Sequence, residues 1–234
     1  MTLLERKILR LVGVRLGPNK VSFFGFLQPL GDAAKLINKQ NNILANFNFF
    51  FYYLSCLLTL GGSLLIWSSF SFSSPLVSFK FSFILLFVVL SVNALLSILA
   101  GWRRFSKFSL IGRVRTVSQL VSYESSLYFC LFSVILLIFS FNMSRLSFLF
   151  VPLCFIFMIP FFFVWVPSFL AELNRTPYDF SEGERELVRG FNTEFGSAGF
   201  TFLFLSEYSR IIFFCALSSV IFFFVLPPCF FLCT

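Results

Sequence analysis

The sequence predicts an all-α integral membrane protein with about five transmembrane helices and an N-terminal amphipathic helix that lies in the membrane interface. Of its 234 residues, 58% are hydrophobic and 12% are charged, and the mean hydropathy is +0.91. A water-soluble domain carries about 25% charged residues. Apolar stretches recur at lengths close to the roughly 20 residues that a helix needs to cross a bilayer. The basic residues are concentrated between these stretches, and the formal net charge is +8.

Five apolar stretches are predicted to span the membrane, near residues 43–67, 80–101, 117–141, 146–170 and 195–226. We expect Pro227-Pro228 to end the last one and to leave 227–234 as a short tail. Segments 1–42, 102–116 and 171–194 contain 15 of the 18 basic residues. Five spans place these three segments on one side of the membrane, as the positive-inside rule requires. Residues 43–226 are therefore predicted to form one transmembrane bundle.

The first 42 residues are predicted to be a basic segment that contains one interfacial helix. Segment 22–38 is too short and too polar to span a bilayer, and its apolar residues fall roughly on one face. We expect Pro29 to kink this helix, and Gly17-Pro18-Asn19 is typical of a tight turn. Two interpretations stay open from the residues alone: an opening for an amphiphile from the bilayer, or a basic anchor on lipid phosphates.

The composition excludes chemistry that depends on histidine, because the chain contains none. A histidine general base, a histidine metal ligand and a haem-binding histidine are therefore ruled out. The six cysteines form no C-x-x-C pair and lie mostly in apolar runs, so we interpret them as packing residues. Clustered thiolates for an iron–sulfur centre are missing from the sequence. We expect this chain to bind no metal and no flavin.

The acidic residues carry the functional information. Glu124 and Glu207 lie inside predicted spans, where an ionised carboxylate costs at least about 2.5–3.5 kcal/mol. We predict that both are protonatable relay groups beside a polar channel. The alternative is a buried glutamate hydrogen-bonded to a local partner, for which Tyr123, Tyr208 and Arg210 are available.

Segment 171–194 is a polar loop between two apolar spans and holds six of the ten acidic residues. Ser181-x-x-Glu184 has the spacing of a capping box at the start of a short helix. Glu182, Glu184 and Glu186 cannot all share one helical face, so some must turn towards a cavity or a partner. A structured site is our prediction for this loop, and a solvated loop with surface ion pairs is the alternative.

Four long motifs carry a resemblance to a known family: ERKILRLVGVRLGPNKVSFFGFLQPLGDAAKL, VSQLVSYESSL, AELNRTPYDFSEGERELVRGFNTEF and SEYSRII. In this order and with similar spacing, they resemble the chain 1 family of NADH–ubiquinone oxidoreductase, the core membrane subunit of respiratory complex I. The match runs from about residue 4 to about residue 226. The resemblance implies a subunit without a redox centre in a proton-pumping NADH:ubiquinone reductase of the mitochondrial inner membrane.

The resemblance also implies roles for individual residues. The residues that would line the ubiquinone tunnel are Arg6, Arg15, Phe23, Asp32, Arg175 and Asp179. The residues that would begin the proton-transfer path are Asp32, Tyr123, Glu124, Glu172, Glu182, Glu184, Glu186 and Glu207. The implied partners are the hydrophilic quinone-reducing subunits, the adjacent membrane subunits and membrane lipids, with ubiquinone as substrate and no nucleic acid.

The sequence departs from the family pattern of about eight spans. It begins at what resembles the end of the first span, and counterparts of the last two spans are missing. Either the sequence is truncated or separate polypeptides supply those helices, and we expect a second polypeptide to supply them. Three alternatives to the complex I function stay open: the equivalent subunit of a related membrane-bound hydrogenase-type complex, an independent transporter, and a purely structural membrane anchor.

Overall fold

The computed structural model describes residues 1–39, 49–70, 80–102, 107–143, 145–146, 152–179 and 197–222. These residues form seven α-helices and no strand, which confirms the predicted all-α class. In chain order the helices are α1 (Thr2–Val12), α2 (Gln28–Ile37), α3 (Phe49–Trp67), α4 (Ser82–Trp102), α5 (Lys107–Ile138), α6 (Pro152–Glu172) and α7 (Ser197–Phe222). A 3-10 turn, Phe23–Gly25, precedes α2.

Helices α3 to α7 coincide with the five predicted spans. Two of them contain 25-residue stretches that are long and apolar enough to cross a membrane, Val114–Ile138 in α5 and Ala198–Phe222 in α7. Within the described parts of the other three, the apolar stretches are shorter, namely Tyr53–Trp67, Ser82–Leu96 and Ile159–Glu172. Two spans are therefore supported by length and composition, and the count of five stays a prediction.

The outer surface of the long helices is apolar. Exposed side chains include Leu65 at 58%, Phe129 at 75% and Phe163 at 71%. A contiguous surface of this kind on a water-soluble protein would promote association or aggregation. In a bilayer the same surface contacts lipid tails, which are as apolar as leucine. The distribution of side chains therefore favours a membrane bundle over a water-soluble helical domain.

Aromatic rings fill the core between the long helices. Trp165 of α6 is 1% exposed, and its ring centroid lies 6.3 Å from that of Phe214 and 6.1 Å from that of Phe222, both on α7. Phe213 of α7 packs edge-on against Trp67 of α3, with centroids 5.8 Å apart. Such pairs contribute about 0.5–1.5 kcal/mol each beyond their buried area. Many of the phenylalanines therefore fix α7 between α3 and α6.

The predicted interfacial helix at 22–38 is two pieces in the structure. Gly25 has a φ of +75° and ends the 3-10 turn, and α2 begins at Gln28. The prediction that Pro29 kinks a continuous helix was wrong, because Pro29 is the second residue of α2. Proline is tolerated there, since the first backbone N–H groups of a helix have no acceptor within it.

Helix boundaries differ from the prediction at two other places. Helix α5 begins at Lys107 and is 32 residues long, so residues 107–116 are helical although they were predicted to lie in a connecting segment. Lysine and arginine have good helix propensity, and an end that leaves the bilayer tolerates their charge. Helix α1 was not predicted, because residues 1–42 were predicted to be a basic segment with one interfacial helix at 22–38.

Helices α3 and α4 approach each other closely at Gly62. A Cβ atom on Gly62 would lie 2.3 Å from Oδ1 of Asn93 on α4. Asn93 is 4% exposed, and neither polar atom of its amide has a hydrogen-bond partner among the described residues. Small residues allow close helix approach in membranes, where packing drives association. Glycine at this position therefore sets the distance between the two helices.

We expect Gly62→Ala to weaken the α3–α4 contact, because the added methyl group overlaps the Asn93 amide. The cost should be about 1 kcal/mol, at the low end for overpacking, since the amide can rotate. Gly61→Ala is the matched control, because a Cβ there meets no atom within 4 Å. The measurement is the thermal midpoint of the assembled protein in detergent. Equal midpoints for the two variants would contradict the close approach at Gly62.

Candidate functional site

Asp32 of α2 is held by side chains from two helices. The Arg6 guanidinium on α1 donates from Nη2 to Oδ2 of Asp32 at 3.0 Å, and the Gln28 amide donates from Nε2 to Oδ1 at 3.2 Å. The Arg6 and Asp32 side chains are 45% and 36% exposed, so this ion pair adds little stability. Its effect is to join α1 to α2 and to keep the carboxylate at a solvent-accessible position. The structure thus brings together two of the predicted tunnel residues.

A second group of polar side chains joins three distant segments. The Arg175 guanidinium, just after α6, donates to Oε1 of Glu5 on α1 at 2.8 Å. The Tyr208 hydroxyl on α7 donates to Oε2 of the same glutamate at 2.6 Å. The Arg175 guanidinium also lies over the Tyr208 ring, 5.3 Å from its centroid. The three residues form one connected group, which we call the Glu5–Arg175–Tyr208 cluster.

The charge of Arg175 is stabilised within this cluster. Partial burial alone lowers the pKa of Arg175, but the hydrogen bond with Tyr208 and the negative charge of Glu5 outweigh that effect. The net result is a pKa above the ordinary value for arginine. The guanidinium therefore stays a fixed positive charge at any physiological pH.

Two hydrogen bonds join helix α5 to the segment that follows α6. The Gln119 amide donates from Nε2 to the backbone oxygen of Ala171 at 2.9 Å and to that of Tyr178 at 2.8 Å. Tyr123, one turn further along α5, packs edge-on against Tyr178 with ring centroids 5.2 Å apart. Gln119 is 4% exposed, so these hydrogen bonds are shielded from water. They hold the segment that carries Arg175 and Asp179 against α5.

The strip between α1 and α2 exposes aromatic and basic side chains. Phe23 is 85% exposed, Arg15 is also exposed, and the Lys7 ammonium lies 5.5 Å from the ring centroid of Phe24. A Cβ atom on Gly25 would lie 2.3 Å from the backbone oxygen of Pro18, so glycine is required where the strip folds back. The structure therefore places Phe23 and Arg15 on an open surface, apart from the Glu5–Arg175–Tyr208 cluster.

A third group of polar side chains lies within the bundle. The Tyr128 hydroxyl lies within hydrogen-bond distance of two acceptors, Oε1 of Glu124, one turn earlier on α5, and the backbone oxygen of Phe87 on α4. Glu172, at the end of α6, is 3% exposed and interacts electrostatically with Glu124 and with Arg210 of α7. Four polar residues from α5, α6 and α7 thus share one neighbourhood, which we call the intramembrane cluster: Glu124, Tyr128, Glu172 and Arg210.

The remaining predicted site residues are placed only in part. Glu207 is half-buried on α7 beside Tyr208, and its charge acts on Arg175. Asp179 is half-buried in the segment after α6. Glu182, Glu184 and Glu186, with the proposed capping box at Ser181, lie outside the described residues. The structure therefore leaves the predictions for that stretch untested.

Potential metal ligands do not converge in the described part of the chain. There, no three side chains of histidine, cysteine, aspartate or glutamate are close enough together to hold a metal ion. Cys56 and Cys130 are buried free thiols, and Cys56 lies in a small apolar cluster with Leu203. These two cysteines pack as small apolar residues, whereas Cys215 on α7 is exposed.

Comparison with known proteins identifies the family. A family model described as NADH dehydrogenase matches residues 1–233. Over 220 residues the chain is 45% identical to NADH-ubiquinone oxidoreductase chain 1 of Locusta migratoria and equally to that of Aedes aegypti, covering 94% of this chain and 70% of each relative. The corresponding protein of Artemia franciscana is 40% identical over 221 residues, covering 94% of this chain and 74% of the relative. This chain belongs to the NADH-ubiquinone oxidoreductase chain 1 family.

As a family member, the chain is a subunit of respiratory complex I, an oxidoreductase complex. Glu5 and Tyr128 were not among the site residues predicted from the sequence. Glu5 contacts Arg175, which is 170 positions away, so no local pattern connects them. Tyr128 is four residues after Glu124, and this spacing puts both on one helix face, which was a usable signal. The predicted local partners are occupied elsewhere: Tyr123 contacts Tyr178, and Tyr208 contacts Glu5.

We expect Gln119→Leu to free the segment after α6, because it removes two hydrogen-bond donors from buried backbone oxygens. Each lost bond should cost about 1–3 kcal/mol locally. Limited proteolysis of the assembled complex, followed by mass spectrometry, should show faster cleavage after residue 172 in the variant. Ser118→Ala is the matched control, since that hydroxyl is exposed and donates only to the Arg115 backbone oxygen of its own helix. Unchanged cleavage in Gln119→Leu would show that other contacts hold the segment.

Proposed function

We propose that this chain lines the ubiquinone access tunnel of complex I and carries the first groups of its acidic proton-transfer path, as a multi-pass subunit of the mitochondrial inner membrane. The observation that carries this proposal is the Glu5–Arg175–Tyr208 cluster. It links α1, the segment after α6 and α7, the helix that bears Glu207. A charge change at α1 would therefore reach an intramembrane carboxylate through adjacent groups.

The proposed quinone-binding residues combine hydrogen-bonding and apolar groups. They are Arg6, Arg15, Phe23, Asp32, Arg175 and Asp179. A quinone headgroup needs hydrogen-bond donors for its carbonyl oxygens, and its isoprenoid tail needs apolar surface. The Arg6–Asp32 pair and Arg175 provide the polar groups, and the exposed Phe23 provides apolar surface. Together these polar and apolar groups suit an amphiphile such as a quinone better than an entirely polar substrate.

The proposed proton path runs from α2 into the bundle. Its members are Asp32, Tyr123, Glu124, Glu172, Glu182, Glu184, Glu186 and Glu207. Quinone reduction changes the charge and the proton demand of the cavity, and interacting carboxyl groups respond as a coupled set. The electrostatic contact of Glu172 with Glu124 and Arg210 supports such coupling across α5, α6 and α7. Protons would then move on towards adjacent membrane subunits.

The proposed partners follow from this position. The loop at 171–194 would contact the hydrophilic quinone-reducing subunits, the bundle would contact adjacent membrane subunits, and its apolar surface would contact lipid. The expectation that a second polypeptide supplies further helices stays a prediction. The family assignment argues against an independent transporter and against a hydrogenase-type relative.

We expect Glu124→Gln and Glu207→Gln each to permit assembly and to abolish ubiquinone-dependent proton pumping, because an amide keeps the shape of the side chain but cannot take up a proton. Quinone reductase activity should fall with pumping, since the two are coupled. The measurement is NADH:ubiquinone reductase activity and acidification in vesicles that contain the assembled complex. Glu124→Asp and Glu207→Asp are matched controls, because they keep a carboxyl group and should retain part of the activity.

A purely structural anchor predicts a different pattern. In that case neutralising the acidic residues changes the amount of assembled complex, while each assembled complex works at the normal rate. Full activity per assembled complex in both glutamine variants would therefore remove the relay role. It would leave the family assignment intact.

A further inference from the structure

The Tyr128 hydroxyl lies between two hydrogen-bond acceptors in the middle of the bundle. It is 3.0 Å from the backbone oxygen of Phe87 on α4 and also contacts Oε1 of Glu124 on α5. The Tyr128 ring packs on the Phe87 ring with centroids 4.8 Å apart, which fixes the position of the phenol. A phenol has one proton to donate. It therefore can donate fully to only one of these two oxygens at a time.

The direction of donation depends on the protonation state of Glu124. When Glu124 is ionised, its carboxylate is the stronger acceptor, so the phenol donates to it. When Glu124 is protonated, its own O–H can donate to the phenol oxygen, and the phenol proton then turns to the Phe87 carbonyl. That carbonyl lies within α4 and has two lone pairs, so it tolerates the loss of the phenol in the first state. Both states leave every polar group of the trio with a partner.

We propose that Tyr128 is a positioning residue whose hydroxyl reverses its hydrogen bond when Glu124 gains or loses a proton. This inference rests on the proposed function, because it requires Glu124 to change protonation state during turnover. No bond is made or broken at Tyr128: the phenol keeps its proton and rotates it between two acceptors. An apolar side chain at this position would leave the ionised carboxylate without that donor, a costly state in a low-dielectric interior.

The other charged and polar groups around Tyr128 come from neighbouring helices. Glu172 at the end of α6 interacts electrostatically with Tyr128, and Ser91 on α4 lies within hydrogen-bonding reach of the phenol. Arg210 on α7 interacts with Glu172. The switch at Tyr128 therefore lies beside the glutamate that connects α5 to α7. A change at Glu124 would be felt at Glu172 through their charge interaction.

The test is a double-mutant cycle with Tyr128→Phe and Glu124→Gln in the assembled complex. Tyr128→Phe removes the hydroxyl and keeps the ring against Phe87. Because the ionised carboxylate loses a donor, we expect pumping per assembled complex to fall about two- to tenfold. Because Glu124→Gln is itself expected to abolish pumping, the cycle is completed on the thermal midpoint of the assembled complex: Tyr128→Phe should lower this midpoint less in the Glu124→Gln background, where the phenol no longer donates to a charged carboxylate. Ser125→Ala is the control, since it removes an exposed hydroxyl that donates to its own helix at the Ser122 oxygen.

The outcomes separate the two proposals. Full pumping in Glu124→Gln overturns both the relay role of Glu124 and the switch. If Glu124→Gln is impaired but Tyr128→Phe pumps normally, the switch alone is overturned. An equal fall of the thermal midpoint on Tyr128→Phe in both backgrounds also overturns the switch, because it indicates a structural role. If Tyr128→Phe does not assemble, reduction-induced infrared spectra of the unmodified complex decide. A tyrosine C–O band that shifts with the carboxyl C=O band, and is lost in Glu124→Gln, supports the switch; a static tyrosine band overturns it.

Discussion

The structure depends on how carboxyl groups are accommodated inside an apolar helical bundle. Each of the three glutamates on α5, α6 and α7 has a polar or cationic neighbour: Tyr128 beside Glu124, Arg210 near Glu172, and Arg175 near Glu207. An unpartnered charge in such surroundings is costly, and the cost is greatest where water is excluded. These pairings, one within α5 and two between elements, therefore permit the acids to be present in the bundle.

Apolar packing holds the helices in the positions that bring these polar groups together. Trp165, Phe213 and Phe214 fix α7 against α3 and α6, while Gly62 allows α3 to lie close to α4. Gln119 then holds the segment after α6 against α5. Because these elements are rigidly placed, Glu5, Arg175 and Tyr208 meet although they come from three distant parts of the sequence. These direct contacts are what the proposed coupling between the segments requires.

The sequence predicted the helical class and the approximate positions of the long helices, because hydropathy is a local signal. The relay roles of Glu124 and Glu207 stay predictions. Gln28 and Asp32 are four residues apart in the sequence, and the structure shows them hydrogen-bonded on α2. Contacts between distant segments could not be predicted, since nothing in the motif around Glu5 indicates Arg175. The role of Pro29 was predicted wrongly because proline occurs both at the start of a helix and at a kink, and the sequence alone did not distinguish these two positions. Residues 107–116 were predicted to lie in a connecting segment because they are strongly charged. They are helical because lysine and arginine have good helix propensity.

The most direct measurement of the central claim is a high-resolution density map of the complete complex in a lipid membrane. If the intramembrane carboxyl groups exchange protons with a quinone-linked cavity, ordered water should lie within hydrogen-bond distance of Glu124, Glu172 and Glu207 and continue to the surface beside Arg6 and Asp32. Carboxyl groups that face lipid tails, or that lie in a dry pocket with no connection to a quinone passage, would contradict the claim.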